Sequence, residues 1–238
     1  MLIMPSLKLK IKKVIQETPD MKTIILEKPR GFDFKPGQYV VMKLDVQDEK
    51  GNTRDFSIAS SPTEDFLMIS TKLTGSKFKK KFDSLKTGGV IEIMGTAGTF
   101  VLDESAKNII MLSGGIGITP LRSMMKYCTD KKLNTRMTLL YSNKIPEDIP
   151  YKEDLEKIQK QNKNLKIIHT ITRSEESKQK WSGRIGWVDE EMIKENCDVN
   201  NSIFYICGPP KMVDALVEIL KKMNVPESRI KIEHFEGY

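Results

Sequence analysis

Up to about residue 103, apolar and polar positions alternate with a period near two, and β-branched residues are frequent. The segments LKLKIKKVI (7–15), KTIILE (22–27), GQYVVMKLDV (37–46), RDFSIAS (54–60), DFLMISTKL (65–73) and GVIEIMG (89–95) read as strands. Turn signals such as PRG, DEKGN and TGG separate them. Six short strands at that spacing predict a small antiparallel barrel. One helix is expected among them, SKFKKKFDSL (76–85).

After residue 104 the pattern changes to alternating strands and helices. Apolar runs NIIMLS, MTLLYS, LKIIHTI, SIFYICG and IKIEHF are separated by helical periodicity. In PKMVDALVEILKKM, Val213, Leu216, Val217 and Leu220 fall at i, i+3, i+4 and i+7, which gives a one-faced helix. Ile118, Leu121, Met125 and Cys128 do nearly the same in the preceding helix. This half predicts an open, mostly parallel five-stranded α/β sheet with right-handed crossovers. The join is expected in LDESAKN (102–108), dividing the chain into 1–103 and 104–238.

The stretch MLSGGIGITPLRSMM (111–125) places Gly114, Gly115 and Gly117 between the first parallel strand and its helix. Two readings stand side by side. Glycines let a helix pack tightly on a strand, and they let phosphate oxygens approach the backbone at a helix start. Thr119 offers a hydroxyl there, and Pro120 suits the first helical position. The spelling differs from G-x-G-x-x-G, and the second strand ends in YSNK without the acidic residue that grips an adenosine ribose.

Composition narrows the chemistry. The chain has 238 residues with 39 Lys+Arg, 32 Asp+Glu and a formal charge of +7. Without a zinc-finger or RNA-binding motif, the charge reads as a lysine-rich solvated surface, and no nucleic acid is expected. No apolar run approaches the roughly 20 residues of a membrane span, and a cytoplasmic location is the expectation. Cys128, Cys197 and Cys207 have neither disulfide-framework nor cluster spacing, and His169 and His234 leave little for a metal site. Redox chemistry would need an organic cofactor.

RDFSIASSP (54–62), SGGIGITP (113–120) and YICGPPKM (205–212), in that order and followed by a C-terminal aromatic segment, resemble the ferredoxin–NADP reductase superfamily. FKPGQY (34–39), GSKFKKKF (75–82) and GTAGTF (95–100) support the match, which covers nearly the whole chain.

The resemblance implies an FAD-binding β-barrel (1–103) and an NAD(P)-binding α/β domain (104–238), with FAD and either NADPH or NADH as cofactors. It gives Arg54 the flavin pyrophosphate, a task suited to a guanidinium fork. Phe56 flanks the flavin ring where relatives often carry tyrosine, Ser57 brings its hydroxyl near flavin N5, and Ile58 continues the strand. Gly75, Ser76, Lys77 and Phe78 correspond to a second phosphate contact, with Ser76 as N-cap; Lys72 lies on the strand before it, and Lys79 adds a backbone N–H. Gly95 and Gly98 match the turn closing the barrel beneath the flavin. Cys207 matches a cysteine beside nicotinamide C4, not a nucleophile, and Gly208, Pro209 and Met212 shape that slot. Glu233 matches an active-site carboxylate, and Phe235 an aromatic covering the flavin, with Tyr238 as rival.

Coenzyme choice rests on the segments after the second and third parallel strands. Ser142, Asn143, Lys144, Arg173 and Lys178 suit a 2′-phosphate and point to NADPH, while Glu175 and Glu176 oppose it. The activity implied is transfer of electrons from NAD(P)H through FAD to a separate acceptor. Ferredoxin or flavodoxin, both acidic, would suit Lys10, Lys12, Lys13 and the lysines at 77–81. The alternatives are a reductase component of an oxygenase or other multi-subunit redox enzyme, and a non-catalytic flavin-binding redox sensor.

Overall fold

The computed structural model describes residues 6–235. Its first half contains β1 (Ser6–Thr18), β2 (Met21–Glu27), β3 (Tyr39–Lys43), β4 (Thr53–Ser57), β5 (Phe66–Lys72), α1 (Lys77–Asp83) and β6 (Val90–Ala97). These six strands pair antiparallel in the order β4-β3-β6-β1-β2-β5. An antiparallel bridge from Ile58 to Ile69 joins the two ends and closes the barrel. The alternation is visible in β1, where Leu9 and Ile11 are buried while Lys8, Lys10 and Lys12 are exposed. Ile24, Leu26, Val40, Met42, Ile58, Leu67 and Ile69 fill the interior, capped by Phe78 and Phe82 of α1.

The second half contains β7 (Asn108–Gly114), α2 (Ile118–Asp130), β8 (Arg136–Asn143), α3 (Lys152–Gln161), β9 (Leu165–Ile171), β10 (Arg184–Ile185), α4 (Glu190–Asn196), β11 (Ile203–Gly208), α5 (Pro210–Lys222) and β12 (Ile230–His234). Its strands run parallel in the order β10-β9-β8-β7-β11-β12. The sheet therefore has six strands and not the expected five. The addition, β10, is two residues long and pairs with Thr170 and Ile171 at the edge, too short to show any periodicity. The order of strand addition reverses between β7 and β11, so the topological switch point lies at their carboxyl ends.

The two halves share packing. Met21, Ala59, Met68, Phe100 and Leu102 belong to the same apolar cluster as Met111, Leu121, Met124 and Tyr205. Buried Arg122 of α2 donates to both carboxylate oxygens of Glu64 (2.5 and 3.0 Å), to the Ala59 carbonyl (3.1 Å) and to Asp154 (2.7 Å). Ser123 donates to the Ser60 carbonyl (2.6 Å). A buried cation holding a largely buried carboxylate across a seam is costly to break, because Arg122 and Glu64 would be left with little solvent. This seam fixes how the barrel faces the parallel sheet.

Candidate functional site between the barrel and the sheet

A cleft of about 790 Å³ opens where the barrel meets the carboxyl ends of the parallel strands. Its barrel wall comes from Tyr39, the β3–β4 loop, β4, β5 and the start of α1; its other wall from Ile116, Thr119 and Glu233–Phe235. Of the residues expected from sequence, Arg54, Phe56, Ser57, Lys72, Gly75, Ser76, Lys77, Thr119, Glu233 and Phe235 all line this one space. Tyr238 lies outside the described residues.

Arg54 and Phe56 alternate on β4, so both reach the same surface. The Arg54 guanidinium pairs with Asp48 and donates to the carbonyls of Lys50 (2.8 Å) and Gly51 (3.0 Å), while lying 4.9 Å over the Phe78 ring. Asp48 also accepts from the Phe78 backbone N–H at 2.9 Å. That bond, with help from Lys50 N–H and Arg54, holds its carboxyl below the usual range. The carboxylate thus occupies donors that would otherwise seek an anion. Ser76 is the N-cap of α1, its hydroxyl accepting from Lys79 N–H (3.2 Å). Phe56 stacks on Phe78 with ring centroids 6.0 Å apart. Lys72 pairs with Asp20 at 2.8 Å.

The remaining barrel positions are structural in their surroundings. Ile58 is wholly buried and closes the barrel. Phe78 points its ring into the core and offers the cleft only its N–H. Gly95 has φ of +52°, at the irregularity in the β3–β6 pairing, and Gly98 (φ +106°) lies so close to Tyr39 that a Cβ would sit 3.0 Å from its ring.

On the sheet side, the glycine stretch forms a single 3₁₀ turn, Gly115–Gly117, running into α2. A Cβ on Gly117 would stand 2.2 Å from the Cys207 carbonyl oxygen, and one on Gly114 would stand 2.5 Å from Met212 Sδ. Gly115 takes φ of +52°. Gly208, at φ +156°, would drive a Cβ into Met212 as well. These glycines therefore bring the ends of β7 and β11 together at the switch point, and Tyr141 braces the turn by donating to Gly115 O at 2.7 Å. The Thr119 hydroxyl turns back to the Ile116 carbonyl (3.1 Å). Pro120 occupies the third helical position and not the first, still within the turn whose N–H groups have no intrahelical acceptor. Pro209 precedes α5, which begins with Pro210 in the first helical position.

Cys207 is fully buried in the apolar cluster, outside the cleft, and burial pushes its thiol well up, so it stays a neutral thiol. Glu233 sits in register with Cys207 on the neighbouring strand. Its burial, reinforced by the Asp55 charge and partly offset by His234, raises its carboxyl to about 7. Phe235 is half-buried, anchored by its N–H to the Gly208 carbonyl (2.9 Å). Arg173 lies away from this cleft and pairs with Glu176 at 3.3 Å. Beside it, Glu147 accepts from Ser177 Oγ (2.8 Å) and Lys178 N–H (3.1 Å).

Sequence reasoning missed Asp48, Thr71, the Lys79 side chain and the bracing Tyr141. Asp48 sits in DEKGN, where an acid reads simply as a turn former. Lys79 is one of four lysines on a short helix, and only the burial of neighbouring Phe78 and Phe82 marks its side as facing inward. Asn143, named as a 2′-phosphate candidate, instead has both amide atoms buried with no partner among the described residues.

A cation-bearing barrel face set against the switch point of a doubly wound sheet is the arrangement of a protein that holds two nucleotides side by side, and the fold places the chain in that class. Residues 6–102 match the oxidoreductase FAD-binding domain family and residues 111–218 the oxidoreductase NAD-binding domain family. The chain thus carries both oxidoreductase domains, which together span most of its length. It is 30% identical over 230 residues to the glycine betaine monooxygenase reductase subunit of Chromohalobacter salexigens, covering 94% of this chain and 62% of that protein. It therefore spans less than two thirds of that relative's length. In structure it resembles the FAD/NAD-binding domain of Vibrio cholerae nitric oxide dioxygenase (TM-score 0.83, 18% identity, 96% of this chain and 98% of that one). It also resembles a ferredoxin NADP+ reductase from Neisseria gonorrhoeae with bound FAD and NADP (TM-score 0.81, 22% identity, 96% and 98%). At those identities the likeness is one of fold. Among the described residues no helix is long and apolar enough to cross a membrane.

Proposed function

We propose that the protein is a flavin-dependent NAD(P)H reductase that delivers electrons to a separate acceptor. The observation that carries this reading is the cleft itself, where Arg54, Phe56 and Ser57 of the barrel face Glu233 and Phe235 of the sheet domain. FAD held there by Arg54, Phe56 and Ser57 would supply hydride- and electron-transfer chemistry that no side chain provides.

The chain's own residues bind, orient and exclude water. Arg54, already poised over the Phe78 ring, would exchange its Asp48 partner for a diphosphate oxygen. Phe56 offers an aromatic face and Ser57 a half-enclosed hydroxyl, a setting in which a single donor counts for more than in water. Glu233, holding its proton to about pH 7, can give or take one at the cleft wall. Phe235 would cover the flavin on the nicotinamide side, tethered through its backbone and packed against the edge of the apolar cluster.

Glu176 and Glu147 engage Arg173, Ser177 and Lys178, the segment expected to meet a 2′-phosphate. We read this as favouring NADH over the NADPH that the basic residues alone suggest. The acceptor is inferred to be an acidic protein, ferredoxin, flavodoxin or the oxygenase component of a two-part enzyme. Exposed Lys10, Lys12, Lys13, Lys80 and Lys81 suit such docking. The similarity to a monooxygenase reductase subunit favours the oxygenase version.

An absorbance spectrum of the purified protein with added FAD, before and after anaerobic NADH or NADPH, tests the reading. Bleaching of the flavin bands by either coenzyme is expected, faster with NADH. A protein that takes up no flavin, or whose bound flavin neither coenzyme reduces, overturns it.

A further inference from the structure

The other cations that line the cleft either pair with an acid, Arg54 with Asp48 and Lys72 with Asp20, or stand exposed at its rim, as Lys50, Lys77 and Lys80 do. Lys79 differs. Its stem is largely buried, its ammonium bonds the Thr71 hydroxyl and lies 5.1 Å over the Phe56 ring, and no carboxylate among the described residues reaches it. The one charge that acts on it is Arg54, which is also positive, and burial with that repulsion lowers Lys79 to about 8. Helix α1 is anchored by Phe78 and Phe82 and does not need a lysine there to pack. A cation buried beside another cation is costly unless an anion joins them.

Resting on the flavin reading above, we propose that Lys79 is a second cationic ligand of the flavin phosphate, acting with Arg54 and held in place by Thr71. The cleft favours this anion over an acidic side chain of a docking protein, because Lys79 points inward beneath the rim lysines Lys77 and Lys80, which are exposed. Thr71 fixes one of the three ammonium donors and leaves two for phosphate oxygens. The Phe56 ring below the ammonium adds a cation–π contact that also lies where a flavin would pack.

Flavin-free protein is titrated with riboflavin, FMN and FAD, following quenching of flavin fluorescence, for wild type, Lys79→Met, Lys79→Arg and Thr71→Val. For Lys79→Met the expected result is a loss of about 10- to 100-fold in affinity for FMN and FAD, with riboflavin changed by less than about 2-fold. Lys79→Arg should keep most of the affinity, and Thr71→Val should lose part of the FMN-over-riboflavin preference. The melting temperature of flavin-free Lys79→Met should not fall, since an unpaired cation has been removed. An unchanged FMN-to-riboflavin ratio, or equal loss of all three flavins, overturns the assignment. So does a loss confined to NADP+ binding, which would place the phosphate on the other nucleotide. If wild type binds none of the three flavins, the flavin reading falls, and this inference with it.

Discussion

On the barrel side of the cleft, the groups that face inward are long charged side chains: Arg54, Lys79 and the Asp48 carboxylate that bridges Arg54 to the Phe78 amide. On the sheet side the lining is Ile116, Thr119, Glu233, His234 and Phe235, and behind it Gly114, Gly117 and Gly208 pack against Met212 and the Cys207 carbonyl. The first wall recognises charge with groups that can move. The second depends on how closely two strand ends approach, which a single methyl can change. The barrel wall should therefore respond to charge and salt while tolerating changes of shape, and the sheet wall should do the reverse.

Gly117→Ala is the most severe test of that contrast. Its Cβ would meet backbone 2.2 Å away, which cannot swing aside, and a destabilisation on the order of 3 kcal/mol is expected, with nicotinamide binding lost. Gly114→Ala meets the end of a flexible methionine and should cost less. Thermal melts of both variants check the order; equal melting temperatures would show that the backbone clash is no harder to relieve than the methionine one.

Arg54→Ala should lower FAD affinity about 10- to 100-fold and leave the melting temperature of the flavin-free protein nearly unchanged. Arg54→Lys should recover only part of that affinity, because an ammonium has no fork. Titrations at low and high salt would show the wild-type advantage shrinking as ionic strength rises.

The smallest effect is expected at Glu233. Burial raises its carboxyl from 4.5 to about 7, so it is protonated below that pH and charged above it. Flavin reduction by NADH in wild type should inflect near pH 7, and Glu233→Gln should remove the inflection. Between about 4.5 and 7 the unfolded chain releases this proton while the folded chain keeps it, so stability falls as pH rises through that window. The glutamine variant should lose that slope. A pH profile identical in both proteins would leave Glu233 no role as a proton carrier.

Much of the architecture was legible because periodicity reports which face a strand or helix buries. The alternation of Leu9 and Ile11 with Lys8, Lys10 and Lys12 predicted β1, and the spacing of Val213, Leu216 and Leu220 predicted α5. Two-residue β10 carries no period and was invisible. At the site, Ser76 was readable as an N-cap because capping is local chemistry, within one helical turn. The two readings of the glycine stretch could not be separated from sequence. Whether Gly117 serves packing or ligand approach depends on Cys207, ninety positions along the chain, and the structure shows that packing alone requires glycine there.

By itself, the sequence determined the two-part organisation, the switch point after β7 and ten of the residues that line the cleft. These follow from hydrophobic period, turn chemistry and the ordered motifs. Only the tertiary structure decided which charges meet. The clasp of Arg122 on Glu64 and Asp154 and the seclusion of Cys207 join distant segments, and even the short-range pairings of Arg54 with Asp48 and of Lys79 with Thr71 depend on how a loop or turn folds back. A charge reads the same in any sequence, whereas its energy depends on the burial and neighbours that folding gives it.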